Sequence, residues 1–120
     1  MSRIMVVDDS NSMRALVAQT LRGAGHDVVE AADGQIALDL EPTAKVDLFL
    51  CDVNMPRVDG LTLVKRLRTL GPSKFTPILM LTTESGANKK AEGKTAGATG
   101  WLVKPFNPEQ LLQVVGKVLP

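Results

Sequence analysis

An unbroken apolar run, Leu48 to Cys51, which ends on the carboxylate of Asp52, constrains the fold of this chain most strongly. The run lacks the polar alternation of a half-exposed strand, so it predicts a strand that is covered on both faces, as in a parallel sheet. The chain then breaks into a turn at residues 54–56, Asn-Met-Pro. Because open parallel sheets bind ligands at the carboxyl ends of their strands, Asp52 is predicted to be a functional residue.

The rest of the chain alternates between short apolar runs and segments with helical spacing. The predicted strands are 4–7, 28–31 (at an edge), 48–51, 77–81 and 100–103. The predicted helices lie between Ser10 and Gly25, between Asp33 and Pro42, over 60–70, over 85–97 and over 108–119. The helix over 85–97 has the weakest pattern, whereas Asn107 and Gln110 provide a capping box for the last one. Five strands alternating with five helices predict a doubly wound α/β fold with a parallel sheet.

Composition limits the classes of function. The 120 residues suffice for one domain, 1–120, and are expected to include no output domain. A net charge of +1 gives no indication of nucleic-acid or membrane binding. The single cysteine, Cys51, permits no internal disulfide and is expected to be a buried apolar residue, which fits a cytoplasmic protein.

Polar and charged residues that could take part in chemistry follow four of the predicted strands. They are Asp8, Asp9, Asp52, Thr82, Thr83 and Lys104. In a parallel sheet these positions share one edge, so three carboxylates would crowd together and repel one another unless a cation binds. Oxygen ligands without histidine or cysteine favour Mg²⁺.

A carboxylate, a divalent cation, a lysine and a hydroxyl together suit a phosphoryl group. The cation offsets charge on the phosphoryl oxygens, the lysine pairs with one of them, and the carboxylate attacks phosphorus in line. The product would be an aspartyl phosphate. Each residue also has a simpler interpretation when taken alone: Asp8 and Asp9 as a helix cap, Lys104 as a surface turn, and Trp101 as part of the core. Thr82 and Thr83 are equally ordinary at a strand end, and Thr82 is chosen because it directly follows the apolar run.

Four segments resemble the motifs of receiver domains in two-component response regulators. They are Val7-Asp8-Asp9-Ser10, the stretch from Cys51 to Gly60, the stretch from Met80 to Glu84, and Val103-Lys104-Pro105-Phe106. The resemblance covers Arg3 to Leu119 and extends to the single-domain chemotaxis branch, the CheY type. It implies a flavodoxin-like, CheY-like sheet with the strand order 2-1-3-4-5 and five helices.

The resemblance also implies a role for each site residue. Asp52 would accept a phosphoryl group from a histidine kinase, and Lys104 would pair with a phosphoryl oxygen. The implied ligands of Mg²⁺ are Asp8, Asp9, Asp52 and the backbone carbonyl of Asn54. Thr82 and Trp101 would form a switch that responds to phosphorylation. The family usually has Tyr, Phe or His where this chain has Trp101, and the larger indole ring leaves the extent of its movement open.

The implied partners are a histidine kinase, of the CheA type in the chemotaxis branch, and the flagellar motor switch or another protein target. A phosphatase is a further possible partner, and the protein is expected to be a monomer. A phosphorelay intermediate or phosphate sink would use the same residues. The protein is not expected to be an enzyme acting on other molecules. Two alternatives from other classes stay open: a small Mg²⁺-dependent phosphatase with an aspartyl-phosphate intermediate, and an interaction module with an inactive site.

Overall fold

A five-stranded parallel sheet forms the centre of the fold in the computed structural model. The structure describes residues 2–53, 59–69, 74–82, 97–104 and 106–119, with only the backbone described for Thr43 and Thr82. The strands are β1 (Arg3–Val7), β2 (Asp27–Ala31), β3 (Leu48–Asp52), β4 (Ile78–Thr82) and β5 (Gly100–Val103). Their order is β2-β1-β3-β4-β5, which confirms the predicted topology and the edge position of β2.

Four helices are described between and after these strands. They are α1 (Asn11–Gly23), α2 (Gly34–Ala44), α3 (Gly60–Thr69) and α4 (Pro108–Val118). The helix predicted over 85–97 lies outside the described residues, except for Gly97, as does the predicted ligand Asn54. Among the described helices none has both the length and the apolar character needed to cross a membrane.

Local capping signals set the starts of α1, α2 and α4 where the sequence predicted them. Ser10 caps α1, Asp33 caps α2, and Asn107 and Gln110 form both hydrogen bonds of the capping box that begins α4.

The predicted end of α2 at Pro42 is wrong, because the helix continues to Ala44. Proline lacks a backbone donor and disfavours a helix interior, yet α2 continues for two residues beyond Pro42. The helix ends instead at Lys45, which adopts a left-handed conformation with φ 52°.

The central strand β3 is buried along its whole length because helices cover both faces of the sheet. Phe49 and Cys51 belong to one apolar cluster, together with residues of α2 and α3. Leu48 and Leu50 belong to a second cluster, together with residues of α1 and α4. The unbroken apolar run therefore divides its side chains alternately between two cores, and the strand ends at Asp52 on the carboxyl edge of the sheet.

Candidate functional site

The strand register places the first acidic residues of the site side by side. Val7 of β1 pairs with Cys51 of β3, so Asp8 and Asp52, each the next residue, leave neighbouring strands at the same level. Carboxylate oxygens of Asp8, Asp9 and Asp52 all lie within 4.8 Å of one another. Asp8 and Asp52 are buried, whereas Asp9 is exposed. The cluster therefore has two carboxylates fixed in the fold and one that faces solvent.

A lysine that follows the edge strand β5 joins this cluster. Lys104 directly follows β5, and its Nζ lies 3.1 Å from Oδ2 of Asp8 and 3.4 Å from Oδ1 of Asp52. The Lys104 side chain is only 12% exposed, so water screens these ion pairs weakly. One cation thus partly offsets the charge of three carboxylates and leaves the site with excess negative charge.

Burial and the surrounding charges together shift the pKa of Asp52. The pKa of Asp52 is raised to about 6, chiefly because burial disfavours its charged form. Lys104 lowers that pKa, and the charges of Asp8 and Asp9 raise it. A divalent cation would offset this repulsion, and the three carboxylates are the hard oxygen ligands that such a cation prefers. The residues present therefore fit Mg²⁺.

The proposed switch residues lie on β4, the strand next to that of Asp52, and on β5, the edge strand beyond it. Thr82 is the last residue of β4, and its register partner on β5 is Val103, two residues after Trp101. Trp101 is half-buried and packs against the apolar cluster that contains Cys51. The structure therefore agrees with the core interpretation of Trp101 and leaves its role in signalling a prediction. The roles assigned to Asp8, Asp9, Asp52 and Lys104 also stay predictions, although their convergence on one edge is observed.

Backbone contacts at the site include a glycine whose role the sequence did not indicate. Gly60 begins α3, and its N–H donates to the carbonyl of Val53 at 2.9 Å. A Cβ built on Gly60 would collide with the carbonyl oxygen of Asp52 and lie 2.8 Å from Cα of Val53. Only glycine lets α3 begin this close to the end of β3. Gly60 stands in one of the motif segments, but helical spacing alone cannot show that close approach.

Two further contacts hold the loop after β1. The backbone N–H of Ser10 donates to Oδ1 of Asp8 at 2.9 Å, and Nη1 of Arg14 donates to the backbone carbonyl of Asp8 at 2.7 Å. The hydroxyl of Ser10 accepts from the N–H of Met13, which identifies Ser10 as the cap of α1. No sequence pattern singled out Arg14, because an arginine in a helix is ordinarily a surface residue.

Comparisons with known proteins agree with this geometry. The family model of the response regulator receiver domain matches residues 4–116. A chemotaxis protein CheY homolog of Campylobacter jejuni is 40% identical over 98% of this chain and 92% of its own length. The structure of chemotaxis protein CheY4 of Vibrio cholerae is 53% identical, covers 99% of both chains and has a TM-score of 0.97.

A third similar structure contains a metal ion. The receiver domain of sensor histidine kinase PA1611 from Pseudomonas aeruginosa was solved with a magnesium ion coordinated in the active-site cleft. It is 25% identical to this chain, covers 98% of this chain and 96% of its own, and has a TM-score of 0.90. The same fold thus holds Mg²⁺ in that relative.

Proposed function

This chain belongs to the response regulator receiver family, and from that premise we propose that it accepts a phosphoryl group from a histidine kinase onto Asp52 in a Mg²⁺-dependent reaction. One observation carries the proposal: carboxylate oxygens of Asp8, Asp9 and Asp52 lie within 4.8 Å of one another, and the ammonium group of Lys104 lies 3.4 Å from Asp52. This arrangement combines a nucleophile, oxygen ligands for a metal and a partner for an anion.

The proposed nucleophile is a carboxylate oxygen of Asp52. It attacks phosphorus in line with the bond to a phosphohistidine nitrogen, and that nitrogen keeps the electron pair as its bond to phosphorus breaks. The new bond makes an aspartyl phosphate. Because the pKa of Asp52 is about 6, most of the carboxyl groups are ionised and nucleophilic at neutral pH.

Asp8, Asp9 and Asp52 are the described residues that would hold Mg²⁺, and Asn54 is a further proposed ligand. When bound, Mg²⁺ supplies positive charge that offsets the negative charge of the phosphoryl oxygens. Asp9 is suited to direct contact because it is exposed beside two buried carboxylates. Asp8 holds the cluster together, since Ser10 and Lys104 already occupy its two carboxylate oxygens.

Lys104 is the proposed partner of the transferred group. Its ammonium group pairs with Asp8 and Asp52 in the unmodified protein. When Asp52 becomes an acyl phosphate, its carboxyl group loses the negative charge that Lys104 contacts, and phosphoryl oxygens are added nearby. Lys104 can then pair with one of these oxygens while it keeps its contact with Asp8.

We further propose that the phosphoryl group signals by changing protein binding, through Thr82 and Trp101. The added group carries about −1.5 to −2 charges, which can bias a two-state element at the surface. The chemotaxis names of the C. jejuni and V. cholerae relatives support a CheA-type kinase as donor and motor control as output. A phosphorelay or a phosphate sink is the alternative. We propose that the protein acts in the cytoplasm and that it catalyses only its own phosphorylation and dephosphorylation.

The test is phosphorylation by acetyl phosphate with Mg²⁺, followed by intact mass. We expect one added phosphoryl group on the wild type and none on Asp52→Asn or in excess EDTA. Asp59→Asn is the matched control. Asp59 lies seven positions after Asp52 in the chain and is exposed. It caps α3 by accepting from the N–H of Thr62, a role that asparagine also fills. We expect Asp59→Asn to accept phosphate like the wild type.

Two results would count against the proposal. Phosphate on Asp52→Asn would mean that another residue is the acceptor. Failure of the wild type to accept phosphate from both acetyl phosphate and a phosphorylated CheA-type kinase, together with no binding of Mg²⁺, would indicate an interaction module with an inactive site. Steady hydrolysis of an external phosphomonoester would instead indicate a phosphatase.

A further inference from the structure

Every polar atom of Asp8 has a partner from a different part of the site. Its N–H donates to the carbonyl of Ala31 in β2 at 3.1 Å, and its two carboxylate oxygens accept from Ser10 and Lys104. Its carbonyl accepts from Nη1 of Arg14 at 2.7 Å. Asp8 is fully buried, so these contacts replace water entirely. Of the four, only the contact with Arg14 is made to the peptide group that joins Asp8 to Asp9.

The guanidinium group of Arg14 is itself held in place. Nη2 donates to Oδ1 of Asn11 at 2.7 Å, and Nε lies 3.5 Å from Oε1 of Glu30 on β2. The Arg14 side chain is 15% exposed. A planar group fixed on three sides and largely removed from water has little freedom to turn. The group that contacts the Asp8 carbonyl is therefore rigid.

We propose that Arg14 is a positioning residue for metal binding. This proposal rests on the proposed function. The carbonyl of Asp8 lies in the same peptide plane as the N–H of Asp9. Holding that carbonyl limits rotation of the plane and so limits the direction in which the exposed Asp9 carboxylate leaves the chain. Arg14 acts as an outer contact that orients a ligand of the cation without touching the cation itself.

The sign of its effect distinguishes this role from simple electrostatics. A positive charge beside a cation site repels the cation, so removing the charge alone strengthens binding of Mg²⁺. Loss of orientation weakens binding, because Asp9 must then be ordered when the metal binds. The proposal therefore predicts that a variant without the guanidinium group binds Mg²⁺ more weakly, against the electrostatic expectation.

The experiment is a calorimetric titration of Arg14→Met with Mg²⁺ alone. We expect its Kd to rise about tenfold, the lower end of the effect of outer contacts on metal affinity. Arg22→Met is the matched control: Arg22 is also on α1, pairs with the other oxygen of Glu30 at 3.3 Å, and donates to the carbonyl of Val28. The Arg22→Met substitution removes the same charge from α1, and we expect the Kd of this variant for Mg²⁺ to stay within about twofold of the wild-type value.

A second variant tests the proposal if Arg14→Met fails to fold. Asn11→Ala removes one contact of the guanidinium group at an exposed helix position and leaves the charge of Arg14 in place. We expect its Kd to rise about threefold, less than for loss of the whole contact. A Kd at or below that of the wild type in Arg14→Met, or an unchanged Kd in Asn11→Ala, overturns the assignment of Arg14. Absence of Mg²⁺ binding in the wild type instead overturns the proposed function, and this inference with it.

Discussion

Nζ of Lys104 lies 3.1 Å from Oδ2 of Asp8, a residue 96 positions earlier in the chain. Strands β3 and β4 separate the strands that carry these two residues, and neighbouring strands lie about 4.8 Å apart. The lysine side chain therefore crosses β4 to reach both Asp8 and Asp52. The length of the lysine side chain allows one cation to contact both carboxylates.

Lys104→Met should destabilise the protein when no metal is present. The substitution keeps most of the apolar stem but leaves two buried carboxylates without their cation. We expect the free energy of unfolding in EDTA to fall by about 2 kcal/mol, measured by urea denaturation. Excess Mg²⁺ should restore much of this loss, because the ammonium group no longer competes for the same oxygens. Lys117→Met, at an exposed position of α4, is the control, and an equal loss in both variants would contradict the prediction.

Gly60→Ala should disturb the end of β3. The added methyl group would collide with the carbonyl oxygen of Asp52 and crowd Cε of Met80 at 2.9 Å. Since α3 must then move away from the strand, we expect the free energy of unfolding to fall by about 2 kcal/mol. Phosphorylation by acetyl phosphate should also slow, because the backbone that carries the nucleophile shifts.

Gly116→Ala provides the matched control for this prediction. Gly116 lies inside α4, and a Cβ built there meets nothing within 4 Å. Alanine at an open helix position raises stability by about 0.5–1 kcal/mol. The two substitutions are chemically identical, so opposite changes in the urea midpoint would separate the close approach at Gly60 from helix propensity. A stabilised Gly60→Ala would refute the collision.

The raised pKa of Asp52 should make stability depend on pH in the metal-free protein. Its pKa is about 6 in the folded state against 3.8 for an unperturbed carboxyl group, so the folded state binds the proton more tightly. Ionisation of Asp52 therefore costs stability as pH rises from about 4 to about 6, and the cost stays constant above. Asp52→Asn lacks this cost. In EDTA we expect the free energy of unfolding of Asp52→Asn, relative to that of the wild type, to increase between pH 4 and pH 6 by an amount on the order of 2 kcal/mol.

The same pKa should govern metal binding. Mg²⁺ requires the ionised carboxylate, so its affinity for the wild type should fall as pH falls below about 6. Calorimetric titrations at pH 5 and pH 8 measure the difference. An affinity for Mg²⁺ that does not change between these values would mean that Asp52 is not among the groups that bind the metal.

Cys51 should report opening of the fold. The thiol is fully buried next to Asp52, and burial raises its pKa to about 12. We expect no reaction with a disulfide reagent in the native state at neutral pH, and labelling only through unfolding. Because Mg²⁺ binds the folded state, a concentration ten times its Kd should slow labelling about tenfold. Asp9→Asn, which weakens the metal site, should lose most of this protection.

Some features of the site follow from signals within a few residues. Asn107 and Gln110 form the capping box that their spacing predicts, and Ser10 caps α1 beside the acid pair. Such signals are readable because both partners belong to one helical turn. The prediction at Pro42 failed because a proline restricts its own turn, whereas α2 ends three residues later, at Lys45, where the backbone is left-handed.

The sequence by itself determined the alternation of buried strands and amphipathic helices, and with it the sheet edge at which Asp8, Asp52 and Lys104 meet. That follows because the spacing of apolar residues reports which faces are buried. Only the tertiary structure decided that Lys104 crosses β4 to pair with Asp8, that Gly60 contacts the carbonyl of Asp52, and that Arg14 holds the peptide before Asp9. Those contacts depend on strand register and on how closely helices approach the sheet. Packing between distant segments sets both quantities, and no local pattern of residues encodes them.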